Sequence, residues 1–171
     1  MKILLVYYSR SGVTRKTSET LAEVLRESGH DVTVEEIREK KKRGGIVGFF
    51  AMSFAAIFKR RGVIEPVTAE VGAFDLVAIG TPVWAWSAAA PVRSFCEQRG
   101  RDAKSAAFFA TMGSSGDAGA FKAMKQLCGR DPVATMALID KAVRKDDVDD
   151  FIAKVKTFAE EMTGGGGKAE E

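Results

Sequence analysis

The stretch Ile3-Leu4-Leu5-Val6-Tyr7-Tyr8-Ser9-Arg10-Ser11-Gly12-Val13-Thr14 decides the fold. Ile3–Tyr7 is a continuous apolar run of buried-strand type, as expected of a strand covered on both faces of a parallel sheet. The turn-forming Ser9-Arg10-Ser11-Gly12 follows at once. From Thr14 to Ser28 the apolar positions Leu21, Val24 and Leu25 take helical spacing, and Gly29 supplies the stop.

The same alternation recurs along the chain. Val32–Ile37 reads as a shorter edge strand, and Leu76–Ile79 as a second buried strand with a turn at Gly80-Thr81-Pro82. Pro91 opens a helix with Val92, Phe95 and Cys96 inward and Gly100 closing it. Ala106–Ala110 is the next strand, followed by a Gly/Ser-rich loop at Gly113–Gly119 and a helix from Ala120 to Gly129 that buries Phe121, Met124, Leu127 and Cys128. Val133–Ile139 is the last strand, and Val148, Phe151, Ile152, Val155, Phe158, Ala159 and Met162 stripe the final helix. Five strands separated by helices predict an α/β fold: a single doubly wound domain over residues 1–163, with a parallel sheet, right-handed crossovers and helices on both faces. Residues 164–171, four glycines and then charges, read as a disordered tail.

Composition narrows the functional classes. The chain has 171 residues, 46% hydrophobic and 29% charged, which suits one soluble domain and is too apolar for intrinsic disorder. Cys96 and Cys128 are far apart with no CxxC, and His30 is the single histidine, so no disulfide framework, zinc site or multi-histidine metal centre is indicated. The start MKILLVYYS is too short an apolar run for a signal peptide, so the expected compartment is the cytoplasm. The net charge of +3 is uneven. Residues 38–61 hold eight Lys/Arg against Glu39 alone, leaving 18 basic and 22 acidic residues, a net −4, elsewhere. The basicity therefore belongs to one insert and does not indicate nucleic-acid binding.

In open parallel sheets ligands bind beyond the carboxyl ends of the strands. Three loops leave those ends, at residues 8–15, 80–90 and 111–119. In the first, Ser9, Ser11 and Thr14 put three hydroxyls around Gly12 at a helix start, where unpaired N–H groups favour a phosphate. The plainer alternative is that Thr14 caps the helix while Ser9 and Ser11 fill a turn. There is no GxxxxGK[ST] and no GxGxxG after the first strand, and Ser9 stands where a receiver domain needs an aspartate.

Tyr8-Ser9-Arg10-Ser11-Gly12-Val13-Thr14 resembles the flavodoxin phosphate loop, [ST]-x-[ST]-G-x-T. Gly80-Thr81-Pro82-Val83-Trp84 and Thr111-Met112-Gly113-Ser114-Ser115-Gly116-Asp117 are similar to the two loops that enclose the flavin ring in that family. The resemblance spans residues 1–163 and implies strand order 2-1-3-4-5 and FMN as cofactor. It implies that the side chains of Ser9, Ser11 and Thr14 and the backbone N–H groups of Arg10, Ser11, Gly12, Val13 and Thr14 hold the phosphate. It further implies that Thr81, Pro82, Val83, Trp84, Ala85, Trp86, Thr111, Met112, Gly113, Ser114, Gly116 and Asp117 surround the ring. Trp84 and Trp86 offer rings that stack on a flat heterocycle, although core or interface packing is the other reading.

Three departures from electron-carrier flavodoxins stand out. Ala85 occupies the place of a glycine whose peptide flips towards the reduced flavin, and alanine does not enter positive φ freely. The third loop, Thr111–Gly119, has no aromatic residue, with Phe121 the nearest ring, so one flavin face is expected to be open. Arg10, Arg15 and Lys16 add positive charge near the phosphate where carriers crowd acids.

Within residues 38–63, Ile46–Phe58 runs for thirteen residues without a charge, short of the ~20 that span a bilayer. An inserted apolar helix is expected there, after the second strand. It could pack over its own sheet or flavin site, bury against a second copy in a homodimer or a redox partner, or lie on an anionic membrane surface. Two functional classes follow from the resemblance. One is an electron-transfer protein working between partner proteins. The other is an NAD(P)H- or quinone-linked flavin reductase, acting in one variant at a membrane surface. No side chain stands out as a nucleophile or general base, as expected when a cofactor is the reactive group.

Overall fold

The computed structural model describes residues 1–40, 62–144 and 148–164. The elements run β1 (Lys2–Tyr7), α1 (Val13–Glu27), β2 (Asp31–Glu36), β3 (Leu76–Trp84), β4 (Ser87–Ala88), α2 (Ala90–Arg99), β5 (Ala106–Met112), α3 (Asp117–Cys128), β6 (Thr135–Ile139), α4 (Asp140–Arg144) and α5 (Val148–Thr163). Five strands are parallel in the spatial order β2-β1-β3-β5-β6, and the two-residue β4 pairs antiparallel with β3. Counting only the parallel strands, this is the expected order 2-1-3-4-5.

Side-chain alternation divides the core into two layers. Ile3, Leu5 and Tyr7 of β1, Ala78 of β3 and Phe109 of β5 face α1 and α5, which bury Leu21, Leu25, Phe151, Val155, Phe158 and Met162 against them. Leu4, Val6, Val77, Ile79 and Phe108 face the other way, onto Val92, Phe95 and Cys96 of α2 and Met124 and Cys128 of α3. Both cysteines are free and buried. Gly80 makes room for the Phe109 ring, because a Cβ there would clash with it, and that ring meets Phe158 edge-on at 6.2 Å between centroids.

Several elements differ from expectation. The expected turn at Gly80-Thr81-Pro82 is strand: β3 runs on to Trp84, pairing Thr81 with Ala110 and Pro82 with Thr111. Proline is tolerated because pairing with β1 ends at Gly80, so the side of Pro82 that lacks an N–H has no ladder to complete. Helix α3 begins at Asp117 rather than Ala120, after Gly116 at φ 114°. The short α4 directly follows β6.

The expected apolar helix at 46–58 and most of the tail lie outside the described residues. The chain on either side of 41–61 is described, and it is closed at its base. Glu39 bridges antiparallel to Ile64, the Lys40 N–H donates to the Val63 carbonyl at 3.0 Å, and the Glu65 N–H donates to the Arg38 carbonyl at 2.8 Å. Among the described residues no helix is long and apolar enough to cross a membrane.

Candidate functional site

At the carboxyl ends of the strands lies a cavity of about 340 Å³ lined by Arg10, Ser11, Pro82, Val83, Trp84, Thr111, Met112, Gly113 and Asp140. The three loops singled out from the sequence all contribute to it. Its size falls in the range of small-molecule sites.

The β1–α1 loop is built around Gly12 at φ 86°, the N-cap of α1, with open space where a Cβ would stand. No side chain caps the helix, so Thr14 does not play the capping role of the plainer reading. Instead the buried Thr14 hydroxyl lies 2.9 Å from the Thr111 hydroxyl and ties the first loop to the third. When Thr111 donates in this pair, the Thr14 proton is left for a ligand. The Ser9 hydroxyl is buried and has no hydrogen-bond partner among the described residues. A hydroxyl left this way costs about 1–3 kcal/mol, so an acceptor or donor from outside the protein would relieve it. Arg10 lines the cavity, whereas Arg15 pairs with Glu36 at 2.6 Å and Lys16 donates to the Val143 carbonyl at 2.9 Å. The positive charge expected around this loop thus comes to the cavity through Arg10.

The second loop is a tight hairpin. Val83 pairs with Ala88 and Trp84 with Ser87, leaving Ala85 and Trp86 as a two-residue tip with φ of 47° and 57°. Positive φ at both positions suits the twist of such a hairpin, but each non-glycine residue there costs about 1–2 kcal/mol. Ala85 therefore does adopt the left-handed backbone that its side chain disfavours. The tip is held from α3. A Cβ on Gly119 would overlap the Trp86 carbonyl oxygen, and one on Gly116 would press on Val83 and the Trp86 backbone.

The two tryptophans separate. Trp84 is half-buried on the cavity wall, and Tyr8 meets it edge-on with 5.6 Å between centroids and 88° between planes. Trp86 is 74% exposed and does not line the cavity. Thr81 is fully buried behind the wall, where its hydroxyl accepts the Ala89 N–H at 3.0 Å and secures the start of α2. In the third loop Thr111, Met112 and Gly113 reach the cavity, Ser114 is exposed, and Gly116 and Asp117 set the start of α3. Val13, the first residue of α1, is buried in the core. Phe121 packs half-buried against the α2–α3 layer, so among the described residues Trp84 is the aromatic member of the lining.

Asp140 is the lining residue that sequence reasoning missed. One of its carboxylate oxygens is buried without a partner among the described residues, and burial pushes its pKa up while Arg144 pulls it down. The available signal was its position: an acid immediately after the last strand, on the ligand-binding edge of the sheet.

With this geometry in hand, comparison with known proteins gives a consistent answer. The family described as Flavodoxin matches residues 2–155. A flavoprotein from Lactobacillus acidophilus NCFM, solved in complex with FMN, superposes with a TM-score of 0.68 at 21% identity over 83% of this chain and 95% of its own. A flavodoxin from the domain Archaea gives 0.62 at 18% identity over 96% and 98% of the two chains. The flavodoxin of Streptococcus pneumoniae TIGR4 gives 0.63 at 15% identity over 97% and 100%. At these identities the three establish the fold. No curated protein matches the chain.

Proposed function

The chain belongs to the flavodoxin family, and on that premise we propose that its cavity holds FMN and that the protein is a redox protein working through this non-covalently bound flavin. The observation that carries the reading is the buried Ser9 hydroxyl beside the Gly12 turn, which has no partner among the described residues. It supplies an unused donor at a place where the first N–H groups of α1 also lack partners in the helix. Ser9, Ser11, Thr14 and the backbone of Arg10, Gly12 and Val13 fit a phosphoryl group, and Trp84, Pro82 and Met112 offer apolar surface to a flat ring. Held there, FMN supplies the electron-accepting and electron-donating chemistry, and the protein supplies position and electrostatics.

Titration with FMN and with FAD, followed by tryptophan and flavin fluorescence, tests the assignment. Wild-type protein binds FMN with quenching. Ser9→Ala weakens binding on the order of tenfold, as loss of one hydrogen bond to a charged group does. The same substitution makes the apoprotein no less stable, and more stable by up to about 1–3 kcal/mol, because the Ser9 hydroxyl has no partner among the described residues to lose and its burial penalty is removed. Absence of FMN binding at micromolar concentration overturns the proposal.

The cavity lining also favours a second reading, that of an NAD(P)H- or quinone-linked reductase. Thr111, Met112 and Gly113 offer no ring opposite Trp84, which leaves room for a hydride donor or a flat acceptor. Rapid mixing of the FMN-loaded protein with NADPH or NADH separates the two classes. Direct bleaching of the flavin absorbance supports the enzyme. Reduction only by a partner reductase or by photochemistry supports the electron carrier.

A further inference from the structure

Trp84 is held from outside the cavity. Tyr8, which does not line the cavity, meets the Trp84 ring edge-on at 5.6 Å. The Tyr8 hydroxyl donates to the Glu39 carboxylate at 3.1 Å. Glu39 is in turn fixed by the antiparallel stem, through its bridge to Ile64 and the backbone hydrogen bonds of Lys40 with Val63 and Glu65 with Arg38. The stem is pinned to α2, since the Ser94 hydroxyl donates to the Gly62 carbonyl at 2.7 Å. A continuous chain of contacts thus runs from α2 through the stem and Tyr8 to the aromatic wall.

We infer that Tyr8 and Glu39 are positioning residues that set the orientation of Trp84, so that the stem beside residues 41–61 governs the shape of the cavity. The arrangement is durable, because burial and then the neighbouring Glu39 carboxylate push the Tyr8 phenol well above its ordinary pKa and keep it a donor. An edge-to-face ring pair is worth about 0.5–1.5 kcal/mol beyond area burial, enough to select one orientation of a half-buried ring. The Tyr8 ring is buried in the core, whereas Glu39 is half-exposed, so Glu39 can be altered without opening the core.

The test uses the full chain in a Trp86→Phe background, where Trp84 is the remaining tryptophan. Acrylamide quenching and fluorescence anisotropy of Trp84 are read in the apoprotein for Tyr8→Phe, Glu39→Ala and Glu39→Gln. Tyr8→Phe and Glu39→Ala raise quenching and lower anisotropy, and Glu39→Gln, which still accepts the phenol proton, restores both. Because the effect on cofactor rests on the cavity being the FMN site, affinity is a separate arm. There the first two variants weaken FMN about two- to tenfold and Glu39→Gln does not. Unchanged Trp84 quenching in folded Glu39→Ala and Tyr8→Phe, or a Glu39→Gln variant no better than Glu39→Ala, overturns the inference. If the wild type binds no FMN, the functional proposal falls while the quenching arm still decides the positioning role.

Discussion

The β1–α1 loop and the β3–β4 hairpin both place left-handed backbone beside the same cavity, and they reach it by opposite means. In the first, the left-handed residue is Gly12, which has no side chain to strain and nothing within 4 Å of where a Cβ would stand. In the second, the left-handed residues are Ala85 and Trp86, and the glycines are Gly116 and Gly119 on the neighbouring segment. The first conformation is supplied locally. The second is strained locally and kept because the Trp86 carbonyl sits where an alanine at 119 would have its methyl. Strain of this kind persists only where the surroundings over-determine it, and it gathers at functional sites.

Four substitutions sharpen or break this comparison. Gly119→Ala has the largest expected effect, a loss of about 3 kcal/mol, the upper end for overpacking, because the methyl meets backbone that cannot rotate away. Denaturant unfolding measures it, and a loss no larger than that of Gly12→Ala would mean the hairpin tip is not held from α3. Gly12→Ala has space but the wrong φ, so a loss of about 1–2 kcal/mol is expected, accompanied by weaker FMN binding. Ala85→Gly should run in the opposite sense. It relieves the left-handed alanine but adds freedom to the unfolded chain, for a net gain of about 0.5–1 kcal/mol in thermal unfolding. A loss instead would show that the tip carries no strain.

The smallest expected effect is at Asp140, and it depends on pH. Its carboxyl pKa is raised in the folded state by burial. Between the ordinary carboxyl value and the raised one, the folded chain binds more protons than the unfolded chain, so apoprotein stability falls as pH rises through that window. Asp140→Asn therefore raises the melting temperature of the apoprotein slightly at neutral pH. The advantage shrinks as pH is lowered to where both states are protonated. A melting temperature unaffected at neutral pH would mean the buried carboxylate oxygen is compensated.

Much of the fold was legible because its signals are local. Runs such as Ile3–Tyr7 and Ala106–Ala110, the stripe from Phe151 to Met162 and stops such as Gly29 and Gly129 each report on a single element, and the structure places elements there. Of the site, the order of the three loops and the Gly12 turn could be read from spacing. The departures have non-local causes. Whether Gly80-Thr81-Pro82 turns or continues as strand depends on where β1 stops pairing. Whether Thr14 caps its helix or bonds Thr111, 97 residues away, depends on how close β5 ends. Asp140 was not singled out, because only the assembled sheet edge brings it to the cavity.

The sequence by itself determined the alternation of strands and helices, the hydroxyl-rich loop around Gly12 and the family to which these belong. Each is encoded by residues within one element, where periodicity and backbone preference act over a few positions. Only the tertiary structure decided which hydroxyls are spent and which are free. It paired Thr14 with Thr111 and Thr81 with the Ala89 N–H, and it left Ser9 without a partner among the described residues. It also turned Trp84 inward and Trp86 outward, although they stand two residues apart as neighbours on one face of a strand would. The physical reason is that hydrogen bonds and steric exclusion act at contact distance, and contact between distant segments exists only once the sheet has assembled.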